Sequence, residues 1–194
     1  MLWDKEIGRL SWDGRKGISY FEFNPAVIGG ELDPFPLIAS TKSPASRRPI
    51  MGDKEMKLYR KLPPFLADSL PDAWGNQVFE CWRIQNGIRN QEITPLEILS
   101  FIGKRGMGAL EFEPCQELGS GDMSLELDQL YRKAQEILEQ REGTVITGKD
   151  ITLESLYEVG TSAGGQHTKA VIARNNNTGE IRSGQILLSS DYTY

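Results

Sequence analysis

Alternation of apolar and polar positions opens the chain. Ile7-Gly8-Arg9-Leu10-Ser11-Trp12 and Ile18-Ser19-Tyr20-Phe21-Glu22-Phe23 carry the β-branched and aromatic residues of two short strands, and Asp13-Gly14 between them predicts a hairpin turn. Trp3 and Trp12 read as core or cross-strand packing residues in preference to ligand-stacking rings. Residues 24–57 hold Pro25, Pro34, Pro36, Pro44 and Pro49 and read as irregular loop, with one short strand over Phe35–Ser40. Arg47-Arg48 within that loop reads as a solvated pair.

The period then lengthens. Leu70, Trp74, Val78 and Trp82 recur every four residues, Asp68-Ser69 gives a helix-start signal, and Asn86-Gly87 a stop. Trp74, Phe79 and Trp82 are expected in the core. Thr94-Pro95-Leu96-Glu97 is a capping box with proline at the first helical position, and it predicts a helix that turns Leu96, Leu99 and Ile102 inward and ends at Gly103. The glycines of Gly103-Lys104-Arg105-Gly106-Met107-Gly108 fit a tight connection into a strand over Ala109–Pro114. Ser124–Glu142, with Leu127, Leu130, Ala134, Ile137 and Leu138 on one face, predicts the clearest helix of the chain, and Thr152–Glu158 a shorter one. Lys169–Arg174 and Glu180–Leu188 read as strands around a turn at Asn175–Gly179. The fold class is α+β: a small antiparallel β subdomain with packed helices over 1–120, then helices, a Gly-rich loop and the first strands of a second lobe over 121–194.

Composition narrows the function classes. The chain has 194 residues, 39% hydrophobic and 25% charged, which suits a globular protein with a real core. A net charge of −5 argues against nucleic-acid binding as its main business. No apolar run approaches the ~20 residues that span a bilayer. Cys81, Cys115 and the one histidine have no metal-ligand spacing, so no metal site is expected, and a reducing cytoplasmic setting fits.

Candidate chemistry gathers at Thr161-Ser162-Ala163-Gly164-Gly165-Gln166-His167-Thr168-Lys169. Adjacent glycines let a backbone approach an anion closely, and successive N–H groups can form a nest for phosphate oxygens. Gly164, Gly165, Gln166, His167 and Lys169 are the candidate phosphate loop, with Thr161 and Ser162 as hydroxyls at its start. Thr168-Lys169 departs from the GK[ST] order of a P-loop, whereas a Gly-rich loop feeding a hairpin is how protein kinases cover ATP. The preceding short helix points its C-terminus at the loop, so its dipole does not favour an anion there.

Three blocks in register resemble the N-terminal half of HipA-family toxin kinases: Leu70-Pro71-Asp72-Ala73-Trp74-Gly75, Thr94–Pro114 with Met107-Gly108-Ala109-Leu110-Glu111-Phe112, and Thr161–Ala170. The resemblance implies a serine/threonine protein kinase of bacterial toxin–antitoxin modules and a second lobe that begins like a kinase N-lobe. Its cofactors would be ATP and Mg²⁺, and its target a protein of translation such as an aminoacyl-tRNA synthetase. Its restraining partner would be a HipB-like helix-turn-helix antitoxin, through which alone it would meet DNA. A hydroxyl at the loop's start, Thr161 or Ser162, would be autophosphorylated; the added negative charge would repel ATP phosphates from the nest.

The departures from the family pattern matter as well. The family's loop commonly reads Gly-Gly-Ala-Arg-Pro-Lys, whereas Gln166, His167 and Thr168 stand here, and His167 reads as a loop residue, not a base. The family's nucleotide lysine, catalytic Asp and metal-binding Asp fall beyond residue 194, so this stretch alone is expected to be inactive. Two readings of different class are open: the leading region of a HipA-like kinase, or a free-standing module that docks on a separate kinase or antitoxin.

Overall fold

The structure, a computed structural model, describes residues 1–88, 92–106, 108–115, 172–183 and 189–193. It is mixed α+β, with two small antiparallel sheets and a few helices. Two units separate: Met1–Leu70 with Ile93–Gly103 and Gly108–Pro114, and Pro71–Glu92 with Lys104–Met107 and Cys115–Tyr194. The helices expected over 124–142 and 152–158, and the boundary expected near residue 120, lie outside the described residues.

The first unit is built on the expected hairpin. Strands β1 (Gly8–Asp13) and β2 (Ile18–Phe23) pair antiparallel from Gly8↔Phe23 to Asp13↔Ile18. Their connection differs from a two-residue Asp-Gly turn. Asp13 Oδ1 accepts the N–H groups of Arg15 (3.0 Å) and Lys16 (3.1 Å), and the left-handed residue is Gly17, at φ +58°, whose N–H donates to Asp13 O. Asp13 therefore caps the loop from outside, and these two bonds help hold its carboxyl below the usual carboxylate range, that from Lys16 most. A third strand, β3 (Ile50–Met51), pairs with β2 through Tyr20↔Met51 and Phe21↔Ile50, giving the order β1-β2-β3.

The strand expected over Phe35–Ser40 is instead a turn. Phe35 packs inward while Leu37 and Ile38 stay exposed. A carboxylate overrides the strand signal: Asp33 accepts from the Ser40 hydroxyl (2.6 Å) and the Thr41 N–H (3.0 Å), closing the segment on itself. Trp3 also departs from expectation. It stands 69% exposed at φ +48°, in a tight turn where the N–H and C=O of Leu2 and Lys5 pair, while Trp12 is half-buried opposite Ser19.

The core of this unit is aromatic. Phe21, Phe23, Val27 and Leu66 are buried, with Leu10, Phe35, Ile50 and Phe65 packed against them. The Phe21 ring meets Phe23 edge-on at 5.0 Å and Phe65 at 5.4 Å between centroids, geometries that add about 0.5–1.5 kcal/mol per pair beyond area burial. A single helical turn, α1 (Pro64–Ala67), supplies Phe65 and Leu66.

Helix α2 (Ala73–Gln85) belongs to the second unit. It starts later than the Asp68-Ser69 signal suggests, because Asp72 is its cap and accepts the Gly75 N–H at 2.9 Å. Ser69 instead closes α1, its N–H donating to Leu66 O. The stop at Asn86-Gly87 holds, with Gly87 left-handed at φ +75°. Trp74, Val78, Phe79 and Trp82 are buried as expected, and the Trp74 indole N–H finds no hydrogen-bond partner among the described residues.

Helix α3 (Pro95–Ile102), of the first unit, realises the capping box in full. The Glu97 N–H donates to Thr94 Oγ1, and Glu97 Oε2 accepts the Thr94 N–H at 2.6 Å. Ile98, Leu99, Phe101 and Ile102 are buried, whereas Leu96, expected inward, is half-buried. The strand expected over Ala109–Pro114 reduces to one bridge, Leu2↔Leu110. The Glu111 N–H bonds to Met1 O and the Phe112 N–H to Gly103 O.

The second sheet has the order β5-β4-β6. Strands β4 (Ile172–Asn175) and β5 (Ile181–Ser183) match the expected hairpin, and Asn175 Oδ1 accepts the N–H groups of Asn177 and Thr178 in the expected turn. Tyr192–Thr193, for which the sequence predicts no element, forms β6 on the other side of β4.

Candidate functional site

A cleft of about 790 Å³ opens in the first unit, between β1 and α3. Its apolar wall comes from Leu10, Phe21 and Leu66 on the sheet side and from Leu96, Leu99 and Leu110 opposite. Local sequence logic sets each wall. The capping box fixes where α3 begins and so turns Leu96 and Leu99 together, and the backbone bonds of Glu111 and Phe112 hold the 110–114 segment across one side. The Ser100 hydroxyl donates to Pro114 O at 2.6 Å and ties the helix to that segment.

Gly8 sets the depth of the cleft. A Cβ there would stand 2.4 Å from Glu22 O and 2.5 Å from the edge of the Phe21 ring, so only glycine lets that ring lie against the strand. Beside it the strand itself is a second recognition element, because β1 is an edge of its sheet. The Asn24 N–H donates to Ile7 O, and since bonded and non-bonded pairs alternate in an antiparallel ladder, the N–H and C=O groups of Gly8 and Leu10 point away from β2.

The cleft's charge is acidic on balance. Glu6, Glu97, Glu111 and Glu113 line it against Arg9, whose Nε donates to Glu6 Oε1 at 2.8 Å in an exposed pair of little energetic weight. An apolar wall, an acidic margin and outward backbone groups suit capture of an extended segment carrying apolar and basic side chains. Among the described residues, no group of three His, Cys, Asp or Glu side chains could hold a metal ion. No helix among them is long and apolar enough to cross a membrane. Neither cysteine is in a disulfide; Cys81 is half-buried and Cys115 exposed.

The phosphate-loop candidates Gly164, Gly165, Gln166, His167 and Lys169, and the hydroxyls of Thr161 and Ser162, all lie outside the described residues. The two strands expected after that loop are described, as β4 and β5. The cleft itself escapes a reading of the sequence. Its one signal there is Gly8, a glycine inside an otherwise regular strand pattern, which marks a close approach.

The family of sequences described as the HipA N-terminal domain matches residues 1–113. Every cleft-lining residue but Pro114 falls inside that span. No curated protein and no solved structure matches the chain.

Proposed function

This chain belongs to the HipA family through its N-terminal domain, and from that premise we propose that it is the leading portion of a serine/threonine protein kinase of a toxin–antitoxin module. The family match carries the reading. The β4–β5 hairpin adds to it, since a Gly-rich sequence feeding a hairpin is the kinase arrangement for covering nucleotide phosphates. In this proposal the Gly164-Gly165 backbone and Lys169 meet the phosphates of ATP, with Gln166 and His167 between them. Mg²⁺·ATP supplies the phosphoryl group when bound. With ATP bound, the Thr161 or Ser162 hydroxyl would be the acceptor of its γ-phosphoryl group, and the resulting phosphate would turn the loop's charge against nucleotide. The substrate class is a protein of translation, such as an aminoacyl-tRNA synthetase.

The cleft favours a second, regulatory role for the first unit: docking of a partner segment, with a HipB-like helix-turn-helix antitoxin or a separate kinase as the partner. The two readings separate by experiment. Calorimetric titration with Mg²⁺·ATP and mass spectrometry for phosphate at Thr161 or Ser162 are made on this chain and on the whole reading frame containing it. Nucleotide binding and labelling by the whole frame establish the kinase reading. Neither signal, together with capture of the antitoxin that Leu96→Asp in the cleft abolishes, leaves the docking module.

A further inference from the structure

Residues 53–61 form a small closed loop with three unusual properties together. Its ends meet: the Asp53 N–H donates to Leu62 O at 3.0 Å, and the Gly52 N–H and the Ser19 N–H and hydroxyl knit its base, the latter two on Lys61 O. The strands of this base cross so closely that a Cβ on Gly52 would lie 1.9 Å from Lys61 O. Such Ω-type loops hold a fixed shape at the surface. Second, two consecutive non-glycine residues, Arg60 (φ +45°) and Lys61 (φ +63°), are held left-handed. Backbone strain of this kind persists where the surroundings over-determine it and concentrates at ligand-contacting sites.

Third, the surface presented is both apolar and basic. Leu58 is 81% exposed, and Met51 and Met56 about half so. Within residues 53–61, four lysines and arginines stand against two carboxylates, leaving +2 in a chain whose total is −5. One of those carboxylates is used internally, Asp53 Oδ1 accepting the N–H groups of Glu55 and Met56. Exposed apolar side chains among mainly basic ones have the composition of a contact site.

We propose that the 53–61 loop, with Met51 beside it, is a docking site for an acidic protein segment that brings an apolar side chain onto Leu58 and Met56 and carboxylates to Lys54, Lys57 and Lys61. A nucleic acid would use the cations but has no use for protruding leucine and methionine, so the mixed surface favours a protein.

The test pans a random peptide library against the folded chain. Enriched peptides are expected to carry net negative charge with apolar residues, and to lose about tenfold or more in affinity for Leu58→Ser and for Lys57→Glu. Both side chains are solvent-facing, so unchanged thermal melts certify folding; Arg60→Gly, which relieves the strain, serves as a second folded variant, expected to weaken binding by loosening the loop. Peptides without an acidic bias, no enrichment, or affinity indifferent to Leu58→Ser would overturn the proposal. So would a DNA duplex bound with dependence on Lys57 but not Leu58, which would make the surface a nucleic-acid site.

Discussion

The two sheets are each three-stranded and antiparallel, yet they are held by different physics. In β1-β2-β3 the inward face is rings: Phe21 is 3% exposed and touches Phe23, Phe35 and Phe65. In β5-β4-β6 the described links between strands are polar. Glu180, at the foot of β5, accepts the Tyr192 hydroxyl of β6 at 2.9 Å and Arg182 Nε at 3.1 Å, and the Arg182 guanidinium lies 6.0 Å from the Tyr192 ring centre. Packing makes the first sheet sensitive above all to volume. Hydrogen bonds to the Glu180 carboxylate make the second sensitive to acid.

The sharpest way to break this contrast is Phe21→Ala. Its lost contacts and the cavity left behind are expected to cost about 3–5 kcal/mol in denaturant unfolding. A loss below about 1 kcal/mol would mean that the aromatic cluster is not what holds the first sheet.

Glycines refine the contrast at the next level. Gly8→Ala forces a methyl into Glu22 O and the Phe21 ring and is expected to cost about 1–3 kcal/mol. Gly179→Ala meets nothing nearer than Arg174 Nη2 at 4.0 Å, but it must hold φ +76°, a strain of about 1–2 kcal/mol. Asparagine should rescue position 179 and not position 8, because Asn tolerates the left-handed region but brings more bulk. Equal behaviour at the two sites, read by chemical denaturation of all four variants, would erase the distinction.

The smallest effect is the pH response of the second sheet. The Tyr192 hydroxyl first and Arg182 second hold the Glu180 carboxyl below its usual value. Because the folded-state value is depressed, its contribution is fully present above the ordinary glutamate range and fades as pH falls through the folded value. NMR titration should place Glu180 below an ordinary glutamate, and amide protection in β4 should decline over the same acidic interval. Glu180→Gln should flatten that decline; a glutamine variant with the wild-type pH profile would assign the response to another group.

Local signals are the legible part of this sequence. The β1–β2 hairpin, the capping box at Thr94, the Gly87 stop and the Asn175–Gly179 turn depend on residues within a few positions of one another, and all are readable. The sequence misleads where a partner outside the segment decides. Phe35–Ser40 has strand-like residues, but Asp33 folds them into a turn, while Ile50–Met51 becomes a strand only because β2 lies alongside. The 109–114 segment reads as β, yet Leu2 offers it a single bridge. The cleft needs β1, α3 and a segment some hundred residues away in sequence, so no window of residues announces it. The family resemblance carried by motif order does reach the right family over residues 1–113.

The brevity of β3 matters for how the protein behaves when concentrated. A free sheet edge invites a strand from a neighbouring molecule, the first step of edge-to-edge aggregation. On the β3 side that edge is two residues long, and Pro49 just before it has no N–H to donate. Of the two sides of this sheet, growth into larger assemblies is therefore blunted at β3 and open at β1, so a ligand seated along β1 would also act as a solubility guard.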